Sequence, residues 1–250
     1  MAFSTKEHRG LVALVLVGLV AGCASPQVSP GVNDPFETTN RAWFEHNLAL
    51  SGALTGDDAA GSEPADAAPA RPGRVRRIVG NFGANLGLPS VILNDFLQIR
   101  PDRAVENTVR LVVNTTVGLG GLFDPADHMG IHGRRTDFGE TLHRWGVGEG
   151  AYVVLPLYGP STERDAAGLV VDAFIDPLRF VLPQPEYTWS WGARMGGRLA
   201  EAAEYSDLLD ANVMNTADPY AQARLLYLQT RRYHLGIEAE DEIIDPYADF

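Results

Sequence analysis

The 250-residue chain has one cysteine, one lysine and one long apolar run, and each shortage excludes a class of function. A lone cysteine, Cys23, cannot close an intrachain disulfide or supply a thiolate metal cage. Lysine stops at Lys6, so every later cation is arginine. A GC-rich genome accounts for that bias; the functional alternative is that forked guanidiniums suit phosphate and carboxylate partners. The formal net charge of −12 argues against a nucleic-acid surface. With 45% hydrophobic residues and 9% aromatics, wholesale disorder is excluded too.

The apolar run covers residues 10–20 (GLVALVLVGLV), behind Lys6 and Arg9 and ahead of Ala21, Gly22 and Cys23. Eleven residues are too few for a spanning helix, which needs about 20. The pattern is that of a secretory signal. Val20-Ala21-Gly22-Cys23 resembles a bacterial lipobox, which implies cleavage before Cys23 and acylation of its sulfur and new amine. The alternative is an ordinary signal followed by a buried free thiol. Ala24 follows in place of aspartate, which favours sorting to the outer membrane.

The charge is unevenly spread. Residues 23–72 hold two arginines against seven acids, residues 73–237 sixteen against eighteen, and residues 238–250 six acids and no base. Most of the negative charge therefore lies outside a nearly neutral body. The expected organisation is a lipoprotein signal at 1–22, a tether at 23–33, a helical domain at 34–237 and an acidic tail at 238–250. Within the domain, Ser51 to Gly73 is rich in Ala, Gly, Pro and Asp and reads as a flexible loop.

The rest reads as mainly α. Asp-Pro recurs at residues 34, 124, 176, 218 and 245, placing a good N-cap before a proline that suits only the first helical turn. Phe36, Trp43, Phe44 and Leu48 share one helical face. Val75, Ile78, Val79, Phe82 and Leu86 share a second up to Pro89, and Ile92, Leu93, Phe96 and Leu97 make a third. Asp102 is placed to cap a helix carrying Val105, Val109, Val112 and Val113. Two further helices are expected around Arg198 to Leu209 and Pro219 to Leu235. Gly118 to Leu182 reads as loops and short helices with a β-like run at Tyr152 to Leu155.

Catalytic and cofactor signals are weak. Val117-Gly118-Leu119-Gly120-Gly121 lacks the third glycine of a dinucleotide loop and reads as a close-packed turn. His128 and His132, with Asp124 and Asp127, have metal-ligand spacing, but Gly130 and Gly133 argue for a polar loop. Ser161 is not in a nucleophile elbow and is expected to cap a helix; a hydrolase using it with His143 or His128 is the competing reading. No catalytic residue, metal or cofactor is therefore assigned. Asn81, Asn85, Asn94 and Asn114 lie on otherwise apolar helical faces. In water they would face solvent or cap locally; in lipid they would turn inward, to satisfy one another or line a wet channel.

Five ordered blocks carry a family resemblance: Asn33 to Leu48 (NDPFETTNRAWFEHNL), Asn81 to Gln98 (NFGANLGLPSVILNDFLQ), Arg110 to Ala126 (RLVVNTTVGLGGLFDPA), Asp137 to Asp165 (DFGETLHRWGVGEGAYVVLPLYGPSTERD), and Asp218-Pro219-Tyr220 through Arg232. Together they resemble the MlaA (VacJ) family of outer-membrane lipoproteins over about residues 33 to 235. The resemblance implies a ring-shaped bundle of amphipathic helices around a polar channel, embedded in the outer membrane and lipid-anchored through Cys23. It implies removal of mislocalised phospholipids from the outer leaflet. A soluble periplasmic lipid carrier then delivers them to an inner-membrane ABC transporter, and a trimeric porin is the companion. The alternatives are a periplasm-facing phospholipid hydrolase and a structural lipoprotein that only binds a porin.

By the same resemblance, Gly146, Gly148 and Gly150 form a channel-side loop, either hinge or plain tight turn, and the Gly118, Gly120 and Gly121 turn matches as well. Asn81, Asn85, Asn114, Arg224 and Arg231 are candidate headgroup or partner contacts; Arg231 and Arg232 also suit a helix C-terminus in any protein. Ala151 stands where the family usually has proline, residues 51–73 are more polar than the family's stretch, and the acidic tail has no family counterpart.

Overall fold

Local chemistry sets most helix starts. The computed structural model describes residues 33–55, 74–204 and 216–237, and there the chain is mainly α. The elements are α1 (Glu37–Thr55), α2 (Arg74–Leu97), α3 (Pro101–Thr116), α4 (Pro125–His128), α5 (Phe138–Arg144), β1 (Tyr152–Leu155), β2 (Gly159–Thr162), α6 (Glu163–Ile175), α7 (Pro177–Val181), α8 (Glu186–Glu204) and α9 (Pro219–Leu235). The expected signal, Cys23, most of the tether, residues 56–73, the acidic tail and Asp245-Pro246 lie outside the described residues.

The Asp-Pro reading holds at α4, α7 and α9. Asp124 accepts from the Asp127 amide at 3.1 Å, Asp176 from the Leu178 amide at 3.0 Å and Asp218 from the Ala221 amide at 3.1 Å. Each cap satisfies one of the amides that a helix start leaves free.

Several boundaries differ from the sequence expectation. Pro89 does not separate two helices: α2 continues through it to Leu97. A proline inside a helix costs about 3 kcal/mol, and the packing of α2 against α3 and α8 offsets that. Residues 51–55, expected in the loop, complete α1. The cap position of α3 is taken by Arg100, and Asp102 lies in the first turn, where its charge suits the helix dipole. Thr162, not Ser161, caps α6 by accepting from the Asp165 amide at 3.2 Å; Ser161 belongs to β2 and is buried. The irregular middle contains a 13-residue helix, α6. The start of α8 lies at Glu186, well before Arg198.

The two strands form an antiparallel hairpin, with Tyr152 opposite Thr162 and Leu155 opposite Gly159. Helix α1 docks on it through two asparagines seven residues apart. Asn40 donates to the Tyr152 carbonyl at 3.1 Å and accepts from the Val154 amide at 2.8 Å. Asn47 does the same with the Leu155 carbonyl and the Leu157 amide, both at 2.9 Å. The two side chains thus take the place of a third strand along β1. Beneath them, Tyr152, Val154, Tyr220 and Leu228 form a small apolar core flanked by Phe44 and Tyr227.

Helices approach closely where side chains are missing. At the α2–α8 crossing Gly83 faces Gly197, and at the α5–α6 crossing Gly139 faces Gly168.

Candidate functional site

On α3 the aligned valines face outward: Val105, Val109 and Val112 are 62%, 42% and 55% exposed, while Ala104, Asn107 and Asn114 are buried. Helix α2 repeats this in part, burying Asn85, Asn94 and Asp95 with Gly83 and Leu88 and exposing Val75, Val79 and Phe96. In water the apolar side of an amphipathic helix faces the core. Here that arrangement is reversed. No described helix is long and apolar enough to cross a membrane.

The buried polar groups form chains between elements. Asn107 donates to Asp95 at 2.7 Å and to the Arg134 carbonyl at 3.2 Å. Asn94 donates to Asp172 at 2.7 Å and accepts from Thr141 at 2.8 Å, and Gln98 reaches Thr141 at 3.0 Å and Thr136 at 2.7 Å. Burial pushes the Asp172 carboxyl up to about 6, although the Phe138 amide and Asn94 both donate to it. Asp95 is fully buried, which raises its pKa also.

A second region surrounds the turn after α3. Asn114 donates to Asp124 at 2.9 Å and accepts from the Ala126 amide at 3.1 Å, and Arg110 pairs with Asp124. Asn85 donates to Thr115 at 3.2 Å and to the Gly120 carbonyl at 3.3 Å. Gly121 has φ +94°, and an added Cβ would meet Asn85; at Gly118 one would meet the Asn114 and Phe123 carbonyls. The turn is closed by contact with these asparagines. Asn81, partly exposed, reaches the Leu122 carbonyl at 3.4 Å.

The third region ties α9 to the hairpin and to α5 and α6. Arg224 pairs with buried Asp34 at 2.5 Å, and Tyr220 donates to the same carboxylate. Arg231 bridges Asp137 at 2.7 Å and Asp165 at 2.8 Å, and Arg232 pairs with Glu149. Glu149 opens the fastened half of the glycine loop. The Arg164 amide donates to the Glu149 carbonyl at 3.3 Å, the Glu163 amide to the Ala151 carbonyl at 2.9 Å, and the Ala151 amide to the Glu163 carboxylate at 3.0 Å. Gly150 has φ +71° and its Cα faces Glu163; Gly146, at φ +89°, and Gly148 are exposed. At its other end the Gly146 and Val147 amides close the end of α5 on the His143 and Leu142 carbonyls at 2.9 and 3.0 Å, which leaves exposed Gly148 between the two fastened ends.

The structure therefore brings the expected residues into three groups. Asn85 and Asn114 with Gly118, Gly120 and Gly121 form one; in another, Glu149, between Gly148 and Gly150, pairs with Arg232, while Arg231 meets Asp137 and Asp165. Arg224 is beside the hairpin. His128 meets the Asp124 carbonyl and His132 the Asp127 carboxylate, both on the surface. Among the described residues no three metal-ligating side chains converge. Burial and nearby Arg164 lower the His143 pKa. Sequence reasoning missed Asp95, Gln98, Asn107, Asp172 and Arg164; only Asn107 gave a signal, standing on the same face as Asn114.

The family model for the MlaA lipoprotein matches residues 32–234, from the start of the described chain to the last turn of α9. The chain belongs to the MlaA lipoprotein family. It is 34% identical over 219 residues to the intermembrane phospholipid transport system lipoprotein MlaA of Escherichia coli strain K12, covering 84% of this chain and 82% of that one. The MlaA lipoprotein of Haemophilus influenzae is 29% identical over 255 residues, with 96% and 97% covered. A solved structure described as the structural basis for maintenance of bacterial outer membrane lipid asymmetry superposes with a TM-score of 0.59 at 28% identity. It covers 81% of this chain and 98% of its own. The mainly α architecture is thus that of a transport-lipoprotein family.

Proposed function

We propose that this chain is an outer-membrane lipoprotein, anchored through acylated Cys23 on the periplasmic side, that removes mislocalised phospholipids from the outer leaflet. It passes them through a polar path to a soluble periplasmic carrier feeding an inner-membrane ABC transporter, so maintaining lipid asymmetry, with a trimeric porin as its membrane companion. The reversed burial of α2 and α3 carries this reading. A phospholipid in transit needs hydrocarbon for its acyl chains and fixed polar groups for its headgroup, since an unpaired polar group in an apolar medium costs several kcal/mol. Valines outward and asparagines inward suit both needs in one helix.

No bond is broken in such a transfer, so binding and gating groups suffice. Gly146 and Gly148 are the hinge of the loop whose other end is held by Glu149, Ala151 and Glu163. The test is deletion of the gene followed by measurement of surface-exposed phospholipid and detergent sensitivity, both of which rise. Unchanged surface phospholipid overturns the proposal, and phospholipid hydrolysis by the purified protein would put an enzyme in its place. A pure porin scaffold predicts that bulky substitutions at Gly146 or Gly148 are silent; the transport reading predicts that they alter surface phospholipid.

A further inference from the structure

Three arginines gather where α3 begins, at one edge of the buried polar interior. Arg100 stands at the cap position of α3, Arg103 in its first turn and Arg134 on the segment before α5. The acids around them are partly engaged, although Asp95 Oδ1 has no hydrogen-bond partner. Glu140, 8% exposed, takes Arg100 at 2.7 Å and the Thr136 hydroxyl at 2.8 Å, and lies a loose 3.7 Å from Arg103. Asp95 is fully buried and takes Asn107. Glu106 accepts from the Gly133 amide at 3.0 Å. Arg134 forms no ion pair among the described residues, and no ion pair joins Asp102 to Arg103. Burial and the charges of Arg100 and Arg134 outweigh those of Glu140 and Asp95 and depress the Arg103 pKa.

The carbonyl of Arg134 accepts from Asn107, the residue that also holds Asp95. The cluster is thus continuous with the polar interior while Arg134 itself is exposed.

Resting on the transport reading, we propose that Arg100, Arg103 and Arg134 form a binding site for the phosphate of a phospholipid headgroup at an entrance to the polar interior. Arg103 and Arg134 hold the phosphate, and Arg100, fixed by Glu140, is a positioning residue. Planar guanidiniums bind phosphate oxygens through paired N–H bonds, which gives geometric selectivity as well as charge.

The full-length protein in detergent micelles is titrated with dihexanoylphosphatidylglycerol, with dihexanoylglycerol, which lacks the phosphate, and with inorganic phosphate. For Arg103→Gln/Arg134→Gln the affinity for dihexanoylphosphatidylglycerol falls at least tenfold, its salt dependence weakens, and dihexanoylglycerol binding is unchanged. Arg144→Gln, an exposed arginine elsewhere, leaves all three values as in the unsubstituted protein. Should the double variant fold poorly by circular dichroism, the single Arg134→Gln, at an exposed position, carries the test with a smaller loss.

Equal phospholipid affinity in variant and unsubstituted protein overturns the proposal. Inorganic phosphate that binds here without being displaced by dihexanoylphosphatidylglycerol assigns the site to free phosphate and overturns the headgroup assignment. Either failure leaves the transport reading intact, because that reading stands or falls on surface phospholipid in the deletion strain.

Discussion

Gly83 and Gly197 stand so close at the α2–α8 crossing that a Cβ on Gly83 would lie 2.9 Å from the Gly197 Cα and 2.7 Å from the Ala193 carbonyl oxygen. The obstacles are backbone, so no rotamer change relieves them. Gly83→Val is expected to lose about 3 kcal/mol of stability or more. Gly80, one turn earlier on α2, has open space where a Cβ would go, and Gly80→Ala is expected to gain about 0.5–1 kcal/mol. Thermal unfolding in detergent micelles reads both, and equal signs for the two would refute the close packing.

Arg231 is the sole cation bridging Asp137 and Asp165 among the described ion pairs, and Asp165 is 9% exposed. Arg231→Ala leaves Asp165 with Arg164 at 3.1 Å as its remaining counter-charge, and the loss of the charged hydrogen bonds is expected to cost about 1.5–3 kcal/mol. Arg232 and Glu149 form a more exposed pair, so Arg232→Ala is expected to cost about 0–1 kcal/mol. A comparison of unfolding midpoints separates the two. Similar losses would mean that Arg231 is not structural.

Asp172 makes stability depend on pH. Its folded-state pKa of about 6 lies above the ordinary value of 3.8, so the folded protein carries a penalty for the buried charge at pH 7. As pH falls through 6 toward 4 the folded state takes up the proton before the unfolded state does, and stability rises by up to about 3 kcal/mol from this group. Asp172→Asn removes that component. The difference in unfolding free energy between the two proteins should shift toward the unsubstituted one between pH 7 and pH 4.5, and a constant difference would sink the idea.

The valine face of α3 gives a membrane prediction. On a water-facing surface Val105→Asp/Val112→Asp changes stability by a few tenths of a kcal/mol. Within hydrocarbon each charge costs about 3 kcal/mol. Reconstitution into lipid vesicles is therefore expected to fail for the double variant while the micelle-bound fold persists. Equal reconstitution would show that this face does not meet lipid.

Asp-Pro pairs announce helix starts because their chemistry is local, and the Tyr152 to Leu155 strand was visible for the same reason. The line of valines on α3 was equally legible, but its direction was not: periodicity says which residues share a face, and only tertiary contact says whether that face is inside. Pro89 misled because the packing of α2 against α3 and α8 outweighs a local penalty. The site was legible where glycines and asparagines cluster in sequence. Asp172 meeting Asn94, or Arg231 joining residues 94 and 66 positions away, leaves no trace in local pattern.

The amide of Tyr152 donates to the carbonyl of Asn33 at 2.8 Å, which pins the first described residue to the hairpin. Asn33 lies only ten positions after Cys23. Ten residues reach at most about 35 Å when fully extended. On the proposed anchoring, the acyl chains hold the hairpin on a leash of that length. The hairpin and its strapped loop then stay within one membrane thickness of the lipid surface, and the protein cannot leave that surface to meet a carrier. On the proposed route, a carrier has to come to it.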